Sequence, residues 1–76
     1  MNQSILFNDD LAFDKATNAW KMTGLMSGEL LVIYYYSAKL TQTTAVDSGI
    51  RFDLEEAIEV WLENNEPENG EIHIYD

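Results

Sequence analysis

Glu29–Ser37 reads E-L-L-V-I-Y-Y-Y-S, and the seven residues from Leu30 to Tyr36 are all aliphatic or aromatic. β-Branched and aromatic side chains suit a pleated strand. Successive side chains of a strand point to opposite faces. Leu30, Val32, Tyr34 and Tyr36 therefore share one face, and Leu31, Ile33 and Tyr35 the other. Both sets are apolar, the pattern of a strand covered on two sides. The rest of the chain, or a partner, must supply that cover.

Working outward, Ala19–Met26 (A-W-K-M-T-G-L-M) alternates Trp20, Met22 and Met26 with Lys21 and Thr23, which predicts a half-buried strand with a weak point at Gly24. Ser27-Gly28 between the two strand patterns predicts a tight hairpin. Upstream, Gln3–Phe7 predicts a short strand with Ile5 and Phe7 on one face. Asn8-Asp9-Asp10 breaks that strand. Leu11, Ala12 and Phe13 form a second short strand or a plug from a loop, and Asp14–Asn18 a turn-rich link. Downstream, Leu40–Ala45 stays open between helix, strand and loop. Thr41, Thr43 and Thr44 are poor helix formers that would suit an edge strand.

Asp53 with Glu56 three residues on has the spacing of a capping box and predicts a helix start. Leu54, Ala57, Ile58, Trp61 and Leu62 then fall on one helical face, with Glu55, Glu56, Glu59 and Glu63 opposite. Asn64-Asn65 suits a left-handed C-cap, and Pro67 prevents continuation. Asn69-Gly70 turns the chain into a last strand, Glu71–Tyr75, with Ile72 and Ile74 inward and His73 outward. The fold class expected is α+β: one small two-layer domain over residues 1–76, in the order strand, strand, strand, short element, helix, strand. Its antiparallel sheet of three to five strands packs on one C-terminal helix.

The residues I-L-F-N-D-D-L-A-F-D (Ile5–Asp14), N-A-W-K-M-T-G (Asn18–Gly24) and G-E-L-L-V-I-Y-Y-Y-S (Gly28–Ser37) resemble a family of small uncharacterised bacterial proteins, a domain of unknown function. In that family an F-x-D…F/W-D opening precedes a β-meander, a helical middle and a closing strand. The resemblance covers about residues 4–37. It implies a fold and carries no activity, cofactor or site residue with it.

The chain has 76 residues, 14 acids against four bases and a net charge of −10. Nine of those acids lie between Phe52 and Asp76, where there is no Lys or Arg. Such a field repels phosphate backbones, so no direct nucleic-acid binding is expected. It can attract a basic protein surface. Cysteine is absent, which excludes disulfides and cysteine zinc sites. With no long apolar run, neither a signal peptide nor a bilayer span is expected, and the chain reads as soluble and cytoplasmic.

His73 is the single histidine, which rules out any two-histidine metal site, and the absence of cysteine rules out a cysteine–histidine triad. Gly24–Gly28 is G-x-x-S-G, not the nucleophile elbow G-x-S-x-G. Asn8–Asp10 and Glu66–Glu71 lack calcium-loop spacing. The expectation is a non-enzymatic protein without cofactor or metal that acts through protein contact. Two surfaces are candidates for that contact. Ile33 and Tyr35, or else Tyr34 and Tyr36, mark a self-association face, since one helix covers one side of the sheet only, unless Ile5–Phe13 folds over the other. Glu55, Glu56, Glu59, Glu63 and Glu66 mark an acidic face that could imitate a nucleic-acid backbone toward a basic protein, as a phage-encoded inhibitor would.

Overall fold

The computed structural model describes residues 5–38, 40 and 45–75. Five strands and one helix follow in the order β1 (Ile5–Phe7), β2 (Ala12–Asp14), β3 (Ala19–Met26), β4 (Glu29–Tyr36), α1 (Ser48–Asn64) and β5 (Glu71–Tyr75). The expected α+β class is the one observed. The threonines Thr41, Thr43 and Thr44 lie outside the described residues, as do Gln3 and Ser4 of the expected first strand.

β3 and β4 form the hairpin on which the sheet is built, paired from Met26↔Glu29 to Trp20↔Tyr35. Its two-residue turn places Ser27 at φ 54° and Gly28 at φ 81°. Two consecutive positive φ values are those of a type I′ turn, whose twist matches the flanking strands. β1 and β2 both pair antiparallel with β3, β1 with Gly24–Met26 and β2 with Ala19–Lys21. They are two segments of one broken edge.

The break is built from the Asn8–Asp10 carboxamide and carboxylates. Thr23 has no strand residue opposite it in the gap. Its amide donates to Asp10 Oδ1 at 3.0 Å, its hydroxyl donates to Asp10 Oδ2 at 2.5 Å, and its carbonyl accepts from Asn8 N at 2.9 Å. Partial desolvation pushes the Asp10 carboxyl up, but the two Thr23 hydrogen bonds outweigh it and leave the pKa below its ordinary 3.8. Gly24, expected as a weak point, has a different role. A Cβ there would sit 3.1 Å from the Leu6 carbonyl oxygen and 3.2 Å from the Ile5 side chain. Its bare backbone lets β1 lie close to β3.

β5 pairs with β4 in parallel, from Val32↔Glu71 to Tyr36↔Tyr75. The expected all-antiparallel sheet is thus corrected at its last pair, because α1 carries the chain back across one face of the sheet. The helix also starts earlier than expected. Asp47, not Asp53, is the N-cap, its Oδ1 accepting from Ile50 N at 2.9 Å. Arg51 Nη1 fastens this first turn to Asp9 at 2.5 Å, with Glu55 one turn on. At the other end Asn65 is extended (φ −141°, ψ 162°) instead of left-handed, and its Nδ2 donates to the Trp61 carbonyl at 3.0 Å.

The core lies between α1 and one face of the sheet. Ile58 and Leu62 meet Ile5, Met22, Leu31, Ile33, Ile72 and Ile74, with Phe7, Leu11, Met26, Tyr35 and Trp61 at the margin. The fully buried side chains Ile33, Ile58 and Ile72 mark its centre.

Candidate functional site: the open face of the sheet

Alternation and register define the face that α1 does not cover. Leu6 of β1 is opposite Leu25 of β3, and Leu25 is opposite Leu30 of β4, so three leucines form a row across three strands. Their exposures are 70%, 41% and 58%. The row continues along β4 through Val32, Tyr34 and Tyr36, all half-buried. It ends at Tyr75 of β5, opposite Tyr36 and 75% exposed. An apolar band therefore crosses the open face from the β1 corner to the β5 corner. β1 and β2 lie in the sheet at its edge and leave this band uncovered, so Ile5–Phe13 does not fold over it.

The aromatic end of the band is ordered by stacking. Lys21 Nζ sits 5.9 Å from the Tyr34 ring centroid, Tyr34 stacks on His73 at 4.9 Å, and Tyr36 stacks on His73 at 5.8 Å and on Tyr75 at 4.6 Å. Tyr36 Oη lies 2.9 Å from His73 Nδ1, and His73 Nε2 lies 2.9 Å from Glu71 Oε1. Desolvation, with Tyr75, Tyr34, Glu71 and Asp14 adding to it, raises the Tyr36 pKa above its ordinary 10.0. The phenol therefore keeps its proton at neutral pH. The arrangement that satisfies all three groups has Tyr36 donating to Nδ1 and the Nε2 proton donated to Glu71. These contacts hold the rings in one conformation and lower the entropy lost when a partner covers them.

The helix decides between the two candidate pairs, which lie on opposite faces of β4. Ile33, 1% exposed, and Tyr35 belong to the helix side. Tyr34 and Tyr36 belong to the open face. Leu30 and Val32, expected beside them, complete that face together with Leu6, Leu25, His73 and Tyr75, which join it only through strand pairing. The two-residue hairpin was the available signal, since it alone places Leu25 against Leu30.

The acidic residues lie elsewhere. Glu56, Glu59, Glu63 and Glu66 are exposed, while Glu55 is half-buried and 3.3 Å from Arg51 Nε. The same outer helix surface carries two exposed apolar side chains, Phe52 and Val60. Among the described residues, no three His, Asp or Glu side chains are grouped to hold a metal ion. No described helix is long and apolar enough to cross a membrane.

No family model and no curated protein sequence matches the chain. The fold does have a solved counterpart. A crystal structure from Shewanella loihica PV-4 aligns with 97% of this chain and 94% of its own, at 25% sequence identity and a TM-score of 0.68. That protein is described as one of unknown function from the DUF1488 family. The chain is thus similar over nearly its whole length to a member of a family of unknown function, in keeping with the resemblance its motifs carry.

Proposed function

We propose that this is a non-enzymatic, cytoplasmic protein that acts through protein–protein contact, and that the open face of the sheet is its contact surface, with self-association as its first use. The observation that supports this reading is the uncovered band from Leu6 to Tyr75. Burying a leucine side chain stabilises a protein by roughly 1.5–3 kcal/mol relative to leaving it in water. Three leucines in register are left exposed, together with Tyr75 at an ordered aromatic end in which Tyr34 and Tyr36 are half-buried. Contiguous patches of this kind mark interaction sites, and tyrosine is enriched in them.

Radical footprinting across a dilution series tests the reading. Leu25, Leu30, Tyr34 and Tyr36 lose reactivity as concentration rises, whereas Phe52 and Val60 on the helix stay reactive. Uniform reactivity of both sets at every concentration would contradict self-association through this face.

A second reading rests on Glu56, Glu59 and Glu63, which are all exposed on the outer surface of α1. Here the acidic surface occupies the basic site of a nucleic-acid-binding protein in place of its nucleic acid. The triple change of Glu56, Glu59 and Glu63 to Gln would then abolish capture by such a protein and leave the fold intact. Salt-insensitive binding that survives the triple change would contradict it.

A further inference from the structure

We infer that the occupant of the open face is a second copy of this chain, docked face to face across a two-fold axis, in a four-layer helix–sheet–sheet–helix sandwich. The inference rests on the reading of this face as a contact surface and gives the geometry of the self-association.

Charge distribution argues for this packing. On the open face the strand residues with formal charge are Lys21, Asp14 and Glu71, of which Lys21 lies over the Tyr34 ring and Asp14 accepts a hydrogen bond from Thr17 at 2.6 Å. The exposed glutamates Glu56, Glu59 and Glu63 sit on the outer side of α1, on the far side of the molecule. With sheets about 10 Å apart, each helix axis about 10 Å beyond its sheet and each stripe on the outer helix surface, the two acidic stripes lie roughly 40 Å from one another. That is several times the Debye length of about 8 Å at physiological salt. Two molecules of charge −10 can therefore meet at this face with little repulsion. Contact through the helices would set the glutamates against each other.

Shape and size agree. A band running from one corner of the sheet to the other can be laid upon its own copy by a two-fold axis in the plane of contact, as an isologous interface requires. The molecule measures 35 × 25 × 21 Å between its extremes. Its broad side is of the order of the ~800 Å² each partner contributes to a stable interface.

The competing route, pairing of the β5 edges, is obstructed. Glu71 N donates to Glu68 O at 2.9 Å, and Glu68 N donates to Glu71 O at 3.1 Å. The 68–71 turn thus occupies the outward hydrogen-bonding groups at the start of β5. What remains of the edge is too short to align a second strand.

The absence of cysteine allows a clean distance measurement. Glu59→Cys carrying a nitroxide label, on the outer side of α1, is measured by double electron–electron resonance, alone and combined with Leu30→Glu or Tyr36→Glu. The expected result is an inter-copy distance of about 40 Å, two labelled helix surfaces across a sheet–sheet contact. Either substitution should remove it while circular dichroism shows the fold retained. A distance below about 25 Å would place the helices in contact and overturn both the sandwich and the reading of the open face. A 40 Å distance indifferent to both substitutions would do the same. Absence of any inter-copy distance at all concentrations would overturn the second copy alone, and footprinting would then show the open face reactive and free for a different protein.

Discussion

The two faces of this sheet are made from the same kinds of residue and differ in what lies over them. On one, Ile33 and Ile72 sit beneath Ile58 and Leu62 of α1 and are lost to solvent. On the other, Val32 and Tyr34, the next neighbours of Ile33 along β4, are flanked by Leu30 and Tyr36, and no described element lies above them. The strand sequence L-L-V-I-Y-Y-Y is apolar on both sides, but 17 helical residues cover one side only. Apolar patterning therefore records where cover is needed, and it exceeds the cover that the described residues provide. In the proposed reading that surplus is the contact surface.

The largest expected effect comes from the covered face. Ile58→Ala, at a fully buried position, should lower unfolding free energy by about 2–5 kcal/mol in a urea melt. Leu25→Ala on the open face should change the stability of the dilute monomer by less than about 0.5 kcal/mol, as surface changes do. Equal losses at both positions would erase the distinction between the faces. Gly24→Val, which must displace Ile5 and the Leu6 carbonyl, should cost about 1–3 kcal/mol and loosen β1. Amide exchange at Leu25, opposite Leu6, would report that loosening.

Asp47→Ala should cost about 1 kcal/mol by removing the N-cap of α1. Asp53→Ala, inside the helix, should cost less, which separates the observed cap from the one expected. The smallest effect is that of pH on the β1–β2 gap. Asp10 is held below its ordinary 3.8, so its contribution is fully present above that value and is lost as pH falls through the lower folded-state pKa. The protection factor of the Thr23 amide should accordingly fall in strong acid and be unchanged from pH 5 to 8.

Much of this architecture is legible in the sequence wherever one local rule decides. The Ser27-Gly28 and Asn69-Gly70 turns, the inward Ile72 and Ile74, and the Leu54–Ile58–Leu62 stripe follow from turn chemistry and periodicity. The helix start was misplaced because Asp47 and Asp53 are both competent caps. Contact between Arg51 and Asp9, 42 positions apart, helps hold the earlier turn and has no local signature. The parallel pairing of β5 depends on the path of α1 over the sheet, which no dipeptide encodes.

The candidate face was legible in part. Tyr34 and Tyr36 were recognisable from the strand itself, whereas Ile33 and Tyr35 could be removed only once the helix was known to lie on their side. Leu6 and Tyr75 join the face through pairing with Leu25 and Tyr36, a long-range property. The acidic stripe of α1 was readable directly, because helical spacing alone sets it.

Solution mass is the most direct test of the central claim, that the open face is a surface made to be covered. Light scattering after size exclusion, at low and high salt, should give a mass near twice 8.7 kDa for the wild-type chain. Leu30→Glu should return it to the mass of one chain with its circular dichroism unchanged. A dimer that Leu30→Glu leaves intact would contradict the account, and a wild-type mass of one chain at every concentration would remove the second copy as the cover of that face.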